Sequence, residues 1–176
     1  MNRPAEQVRI EWLVLQSQAG DRNAFDELVA RFHPPLLKHA RYLTGSDDAA
    51  RDTVQESWMA MVRGIHRVDD PATFRAWAYR IVTNKCADRV RSIVRERVAI
   101  EHRPEAHEAS SADDESVREA MARLGPDQRA ILSLRYLEDM STREIAEVLN
   151  IPDGTVKSRL HQARNELKTI LERSES

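Results

Sequence analysis

The chain has 176 residues, of which 41% are apolar and 32% charged, and its formal net charge is -2. This is enough apolar material for one ordinary core or two small ones, and the near-neutral balance excludes a uniformly cationic surface. Five glycines and 5% aromatics, against abundant Ala, Leu, Arg and Glu, favour helix over sheet.

The first predicted helix carries Val8, Trp12 and Leu15 at steps of four and three. The apolar run 10–15 is broken by Glu11 and is far too short to span a bilayer, so no membrane insertion is expected, and no signal-peptide pattern is present. The next helix has Phe25, Leu28, Val29 and Phe32, then Leu36, Leu37, Ala40 and Leu43; Pro34 and Pro35 between them predict a kink or a restart. After Gly45, Ser46 reads as an N-cap, with Asp47 and Asp48 suited to the positive end of the helix dipole. That helix has the apolar stripe Ala50, Val54, Trp58, Met61 and Ile65. A further helix starts near Asp70-Pro71 and runs through Phe74, Trp77, Ala78, Ile81, Val82, Val90 and Val94. Its one cysteine, Cys86, is also the only one in the chain, which excludes an internal disulfide and fits a reducing cytoplasm. No alternating, turn-bounded segment predicts a strand.

Charge is segregated along the chain. Residues 79–103 carry seven cations against three acids, 104–119 one against six, and 155–168 four against one. The stretch 101–116, with a proline, small residues and acids but no large apolar side chain, reads as a flexible acidic linker. The expected organisation is all-α, with small helical domains at 1–100 and 117–176. In the second, Pro126 and Asp127 open a helix with Ile131, Leu134 and Leu137 on one face. "STRE" at 141–144 fits a capping box, and the helix after it turns Ile145, Val148 and Leu149 inward. "NIPDG" then breaks the chain before a last helix with the inner stripe Val156, Leu160, Ala163, Leu167 and Leu171. Helix, tight turn and helix is the helix-turn-helix pattern, whose second helix enters the major groove. Lys157, Ser158 and His161 then face outward, with Arg159, Gln162 and Arg164 at the edges.

With these residues in place, the chain resembles the extracytoplasmic-function (ECF) sigma factors, the two-domain class of bacterial RNA polymerase specificity subunits. Residues 20–65 and "FRAWAYRIVTNKCADRVR" are similar to the family's region 2; "LGPDQRAILSLRYLEDMSTREIAEVLNIPDGTVKSRLHQARNELK" is similar to its region 4. The resemblance implies an alternative sigma factor that binds core polymerase at the β′ clamp and β flap and directs initiation at promoter DNA. It implies that Asp52, Gln55, Glu56 and Met59 bind the core enzyme. It assigns Arg67, Arg80, Asn84, Lys85 and Arg89 to the unwound −10 strand, Asn84 at the pocket for a flipped base. It assigns Thr155, Lys157, Ser158, Arg159, His161, Gln162 and Arg164 to the −35 duplex. An anti-sigma factor is implied as a further partner, and the acidic linker is implied to thread the polymerase's cleft and exit path. Two positions depart from the common pattern: Val68 stands where relatives carry an aromatic, so base stacking from that loop is not expected. Gln162 stands where many have arginine, which geometrically favours adenine over guanine.

An enzyme is not expected, nor any cofactor or metal. "GTVKS" lacks the spacing of a phosphate loop, and the six histidines never pair with Cys86 at ligand spacing. The rival of another class is a stand-alone helix-turn-helix regulator that binds a palindrome as a dimer without polymerase.

Overall fold

The computed structural model describes residues 5–99 and 119–174; the expected linker 101–116 lies outside them. All described regular structure is helical.

The N-terminal unit comprises α1 (Ala5–Gln18), α2 (Arg22–Thr44), α3 (Asp47–Gly64), two 3-10 turns (Ile65–Arg67 and Pro71–Thr73) and α4 (Phe74–Ala99). Asp21 caps α2 by accepting from the Asn23 and Ala24 amides, and Gly45, at φ +66°, closes it with a bond to the Arg41 carbonyl. The Ser46 side chain caps α3 by accepting from the Ala49 amide. Asp70 takes the Ala72 amide, so Pro71 begins a 3-10 turn that runs straight into α4.

Two expectations are corrected here. The helix α2 does not restart at Pro34-Pro35 but continues through both. Leu28, Phe32, Leu36, Ala40 and Leu43 are buried along one face on both sides of the prolines, so packing along that face outweighs the amide bonds lost at the prolines. On α1 the inward stripe is not Val8, Trp12 and Leu15, which are about half exposed; Leu13 and Val14 are fully buried instead. The helix has apolar residues on two faces, and contact with α2 selects one; the guanidinium of Arg9 lies 5.0 Å over the Trp12 ring on the other.

The C-terminal unit has a helical turn at 119–122, then α5 (Pro126–Leu132), a π-helical turn (Ser133–Leu137), α6 (Thr142–Leu149) and α7 (Asp153–Ser174). The capping box at Ser141 is formed: Glu144 accepts from the Ser141 amide at 2.9 Å, and Ser141 Oγ accepts from the Glu144 amide at 3.2 Å. Asn150 ends α6 in the left-handed region, φ +52°, with its amide on the Ala146 carbonyl. Val156, Leu160 and Ala163 on α7 are buried, with Leu167 and Leu171 half-buried.

The two units are packed together. One apolar cluster runs without a break from Leu13 to Ala163, with α4 against α6 and α2 against α5.

Candidate nucleic-acid interface

The cap at Ser141 and the turn at Asn150 fix where α7 begins, and the stripe Val156, Leu160 and Ala163 fixes which way it faces. Lys157, Ser158, Arg159, His161, Gln162 and Arg164 are therefore all exposed, and Thr155 is half-buried. Ser158 Oγ donates to the Thr155 carbonyl at 3.0 Å, and His161 Nε2 lies 3.1 Å from the Asn165 amide group. The face so presented holds three cations and several side chains able to donate or accept on base edges or phosphates.

On α3, Val54, Ser57, Trp58 and Met61 are buried, which leaves Asp52, Gln55, Glu56 and Met59 exposed together. Val62, 55% exposed, extends this face by three residues beyond Met59. It was missed in the sequence reading, although its i+3 spacing from Met59 carried the signal.

The side chains expected on the −10 strand fall into separate places. Arg67 and Arg80 line one groove with Asp69, Asp70 and Trp77, whose far wall is Glu147 and Asn150 of the C-terminal unit. Asn84 is exposed toward a different cavity, of about 420 Å³, shared with Pro126, Asp127, Leu149 and Arg159. Lys85 Nζ sits 3.3 Å from Glu56, and Arg89 3.9 Å from Asp52. Two cations expected on DNA are thus paired with two carboxylates expected on a protein partner.

The loop between α3 and α4 is pinned from α1. Gln18 Nε2 donates to the carbonyls of Ile65 at 3.0 Å and Val68 at 2.8 Å. Val68 is buried, so no stacking surface comes from it. Trp77 is half-buried against the core, packed on Phe74 and on Gly64, with its remaining face toward the groove. Gly64 allows that approach, since a Cβ there would lie 3.2 Å from the Trp77 ring.

Cys86 is fully buried, and burial pushes its thiol up to about 12, which keeps it protonated and out of reach of oxidants. Among the described residues no group of three His, Cys, Asp or Glu side chains could hold a metal, and no helix is long and apolar enough to cross a membrane.

Comparison with known proteins defines the class first. The family described as Sigma-70 region 2 matches residues 28–96, and Sigma-70, region 4 matches residues 114–167. The chain is 33% identical over 167 residues to the ECF RNA polymerase sigma factor SigM of Mycobacterium tuberculosis, covering 87% of this chain and 80% of that one. It is 27% identical over 183 residues to SigW of Bacillus subtilis, covering 94% and 98%. Among solved structures it is similar to the sigma factor RpoE of Bartonella quintana in complex with the anti-sigma factor NepR. There the TM-score is 0.73 at 26% identity, covering 84% of this chain and 96% of that one. The chain belongs to the ECF group of sigma-70 factors, alternative sigma factors of transcription initiation. It is a transcription regulator and not an enzyme.

Proposed function

We infer that the chain joins core RNA polymerase through the exposed face of α3, Asp52, Gln55, Glu56 and Met59 extended by Val62. The acids suit a basic partner surface, and Met59 and Val62 supply apolar area to bury on contact. An apolar groove of about 450 Å³, lined by Leu132, Tyr136, Leu137, Leu167 and Leu171 of the C-terminal unit and by Tyr42 of α2, is a seat for the polymerase flap.

In this reading α7 enters the major groove at the −35 element, with Lys157, Arg159 and Arg164 toward phosphates and His161 and Gln162 toward base edges. Arg67, Arg80, Lys85 and Arg89 hold the phosphates of the unwound −10 strand, and the Asn84 amide reads a flipped base. No bond is made or broken by this chain. Contacts with polymerase and with the captured base offset the cost of opening the duplex.

The observation that carries the reading is the α7 face: six polar or basic side chains on its first three turns are exposed, and a cap and a turn define its start. An anti-sigma protein is the expected regulator, as NepR is for the similar RpoE, and the place of action is the cytoplasm, where polymerase is. Run-off transcription from fragmented host DNA with core polymerase tests all of this. Discrete transcripts that depend on the chain support it, and their start sites supply both promoter elements. Duplex binding by the chain alone, without transcripts, would favour the stand-alone regulator.

A further inference from the structure

The interface between the two units is polar at its centre, which a simple apolar contact does not require. His39 on α2 has no exposed surface, and both ring nitrogens meet hydroxyls: Nδ1 lies 2.8 Å from Ser133 Oγ and Nε2 lies 2.9 Å from Thr83 Oγ1. Thr83 belongs to α4 and Ser133 to the C-terminal unit, so this one imidazole joins three elements. Beside it the Tyr79 hydroxyl of α4 donates to the buried carboxyl of Glu138, and the Tyr79 ring meets the His39 ring edge-on at 5.3 Å. Arg75 donates to the Glu138 carbonyl and, at 3.3 Å, to Glu144. The pairs His39–Ser133 and Tyr79–Glu138 both cross the boundary, while Thr83 holds the other face of the His39 ring from within the N-terminal unit, and together they select one register between the units.

That register is incompatible with reading a promoter. The −10 and −35 elements lie about 25 base pairs apart, about 85 Å along B-DNA. Here Asn84 and Arg159, one expected on each element, line the same cavity of about 420 Å³. Glu147 and Asn150 of α6 likewise wall the groove that holds Arg67 and Arg80.

The geometry points to a closed, self-inhibited state of the free chain, in which the His39, Tyr79 and Glu138 cluster latches the C-terminal unit over the strand-binding side of α4. The inference rests on the assignment of α4 to the −10 strand. In the similar RpoE structure a bound NepR is present; in this chain the closing contacts are its own residues. Release of the latch then precedes strand binding, and apparent DNA affinity scales with the fraction of open molecules.

Energy transfer between dyes on Arg63→Cys of α3 and Asn165→Cys of α7, both exposed positions, measures the opening in the free full-length chain; the buried Cys86 stays unlabelled. With the latch intact one high-transfer population is expected. Tyr79→Phe and, as the milder change, Ser133→Ala should each raise the low-transfer fraction several-fold with helical content unchanged. Each should also raise affinity for a fluorescein-labelled single-stranded 20-mer of randomised sequence by the same factor. Low transfer with the latch intact, or no change in either variant, overturns the closed state. Opening without a gain in DNA affinity overturns its inhibitory role. Failure of the sigma assignment shows separately, as an absence of polymerase-dependent transcripts whatever the transfer signal.

Discussion

Two helices carry the basic character of this chain, and the fold treats them differently. Helix α4 is the longer and has four elements packed around it; its Lys85 and Arg89 lie against the carboxylates of α3, and the C-terminal unit covers its Asn84 side. Helix α7 packs along one stripe only and leaves Lys157, His161 and Gln162 to solvent. Similar local charge therefore yields one face committed to internal partners and one presented outward. The lesson is that a run of cations marks a binding helix only after its neighbours are known, because an ion pair within the protein and a phosphate compete for the same ammonium.

Several perturbations break or sharpen this contrast. The largest effect is expected from Phe74→Ala in the first turn of α4. Phe74 is fully buried and meets Phe32 edge-to-face at 5.2 Å, so its loss should cost about 3–5 kcal/mol in urea unfolding. Leu160→Ala on the thinner α7 contact, where 7% of the residue is still exposed, should cost less, toward about 2 kcal/mol. Equal costs would mean that the two helices are equally embedded.

Acid is the next lever, and it acts where α4 meets the C-terminal unit. Burial lowers His39 from its ordinary 6.5 to about 3, so the closed state holds it neutral. As pH falls below 6.5 the unfolded chain takes up a proton that the folded chain refuses. The contribution of His39 is therefore full above pH 6.5 and is lost progressively toward pH 3, by up to about 1.4 kcal/mol per pH unit. Glu138, raised by burial and opposed by the Tyr79 hydrogen bond and the charges of Arg75 and Lys38, works with the opposite sign. Its effect cancels in the difference between this chain and His39→Gln, whose stability should be flatter from pH 6.5 to 4.5. Parallel curves would remove His39 from the acid response.

Ser141→Ala removes the cap that sets α6 and, through it, the start of α7; about 1 kcal/mol of stability should go. Promoter binding at the −35 element should weaken more than single-strand binding by α4, as read by fluorescence anisotropy. The smallest effect concerns the charges themselves. Lys157→Ala should lower the slope of log affinity against log salt by about one for duplex DNA. Lys85→Ala should change the single-strand slope by less, since Glu56 already neutralises Lys85. A full unit lost at Lys85 would show that the pair opens on binding.

Much of the molecule was legible in the sequence because its signals are local. The caps at Ser46 and Ser141 depend on side chains a few residues from the amides they meet, and the inner stripe of α7 follows from helical period alone. The outward direction of the α7 side chains was legible for the same reason: once Val156 and Leu160 point inward, the exposure of Lys157 and His161 is geometry. The side of α1 that is buried was a different matter. Either apolar stripe of that helix satisfies the period, and only contact with α2 chose Leu13 and Val14 over Val8, Trp12 and Leu15. The unbroken course of α2 through Pro34 and Pro35 likewise depends on long-range packing that outweighs a local preference. So do the pairing of Lys85 and Arg89 with α3 and the burial of His39 between Thr83 and Ser133, residues 44 and 94 positions away. Period, capping and composition act within a turn or two of helix and can be read along the chain. Which face is covered, and which charge already has a partner, is decided by contacts between distant segments.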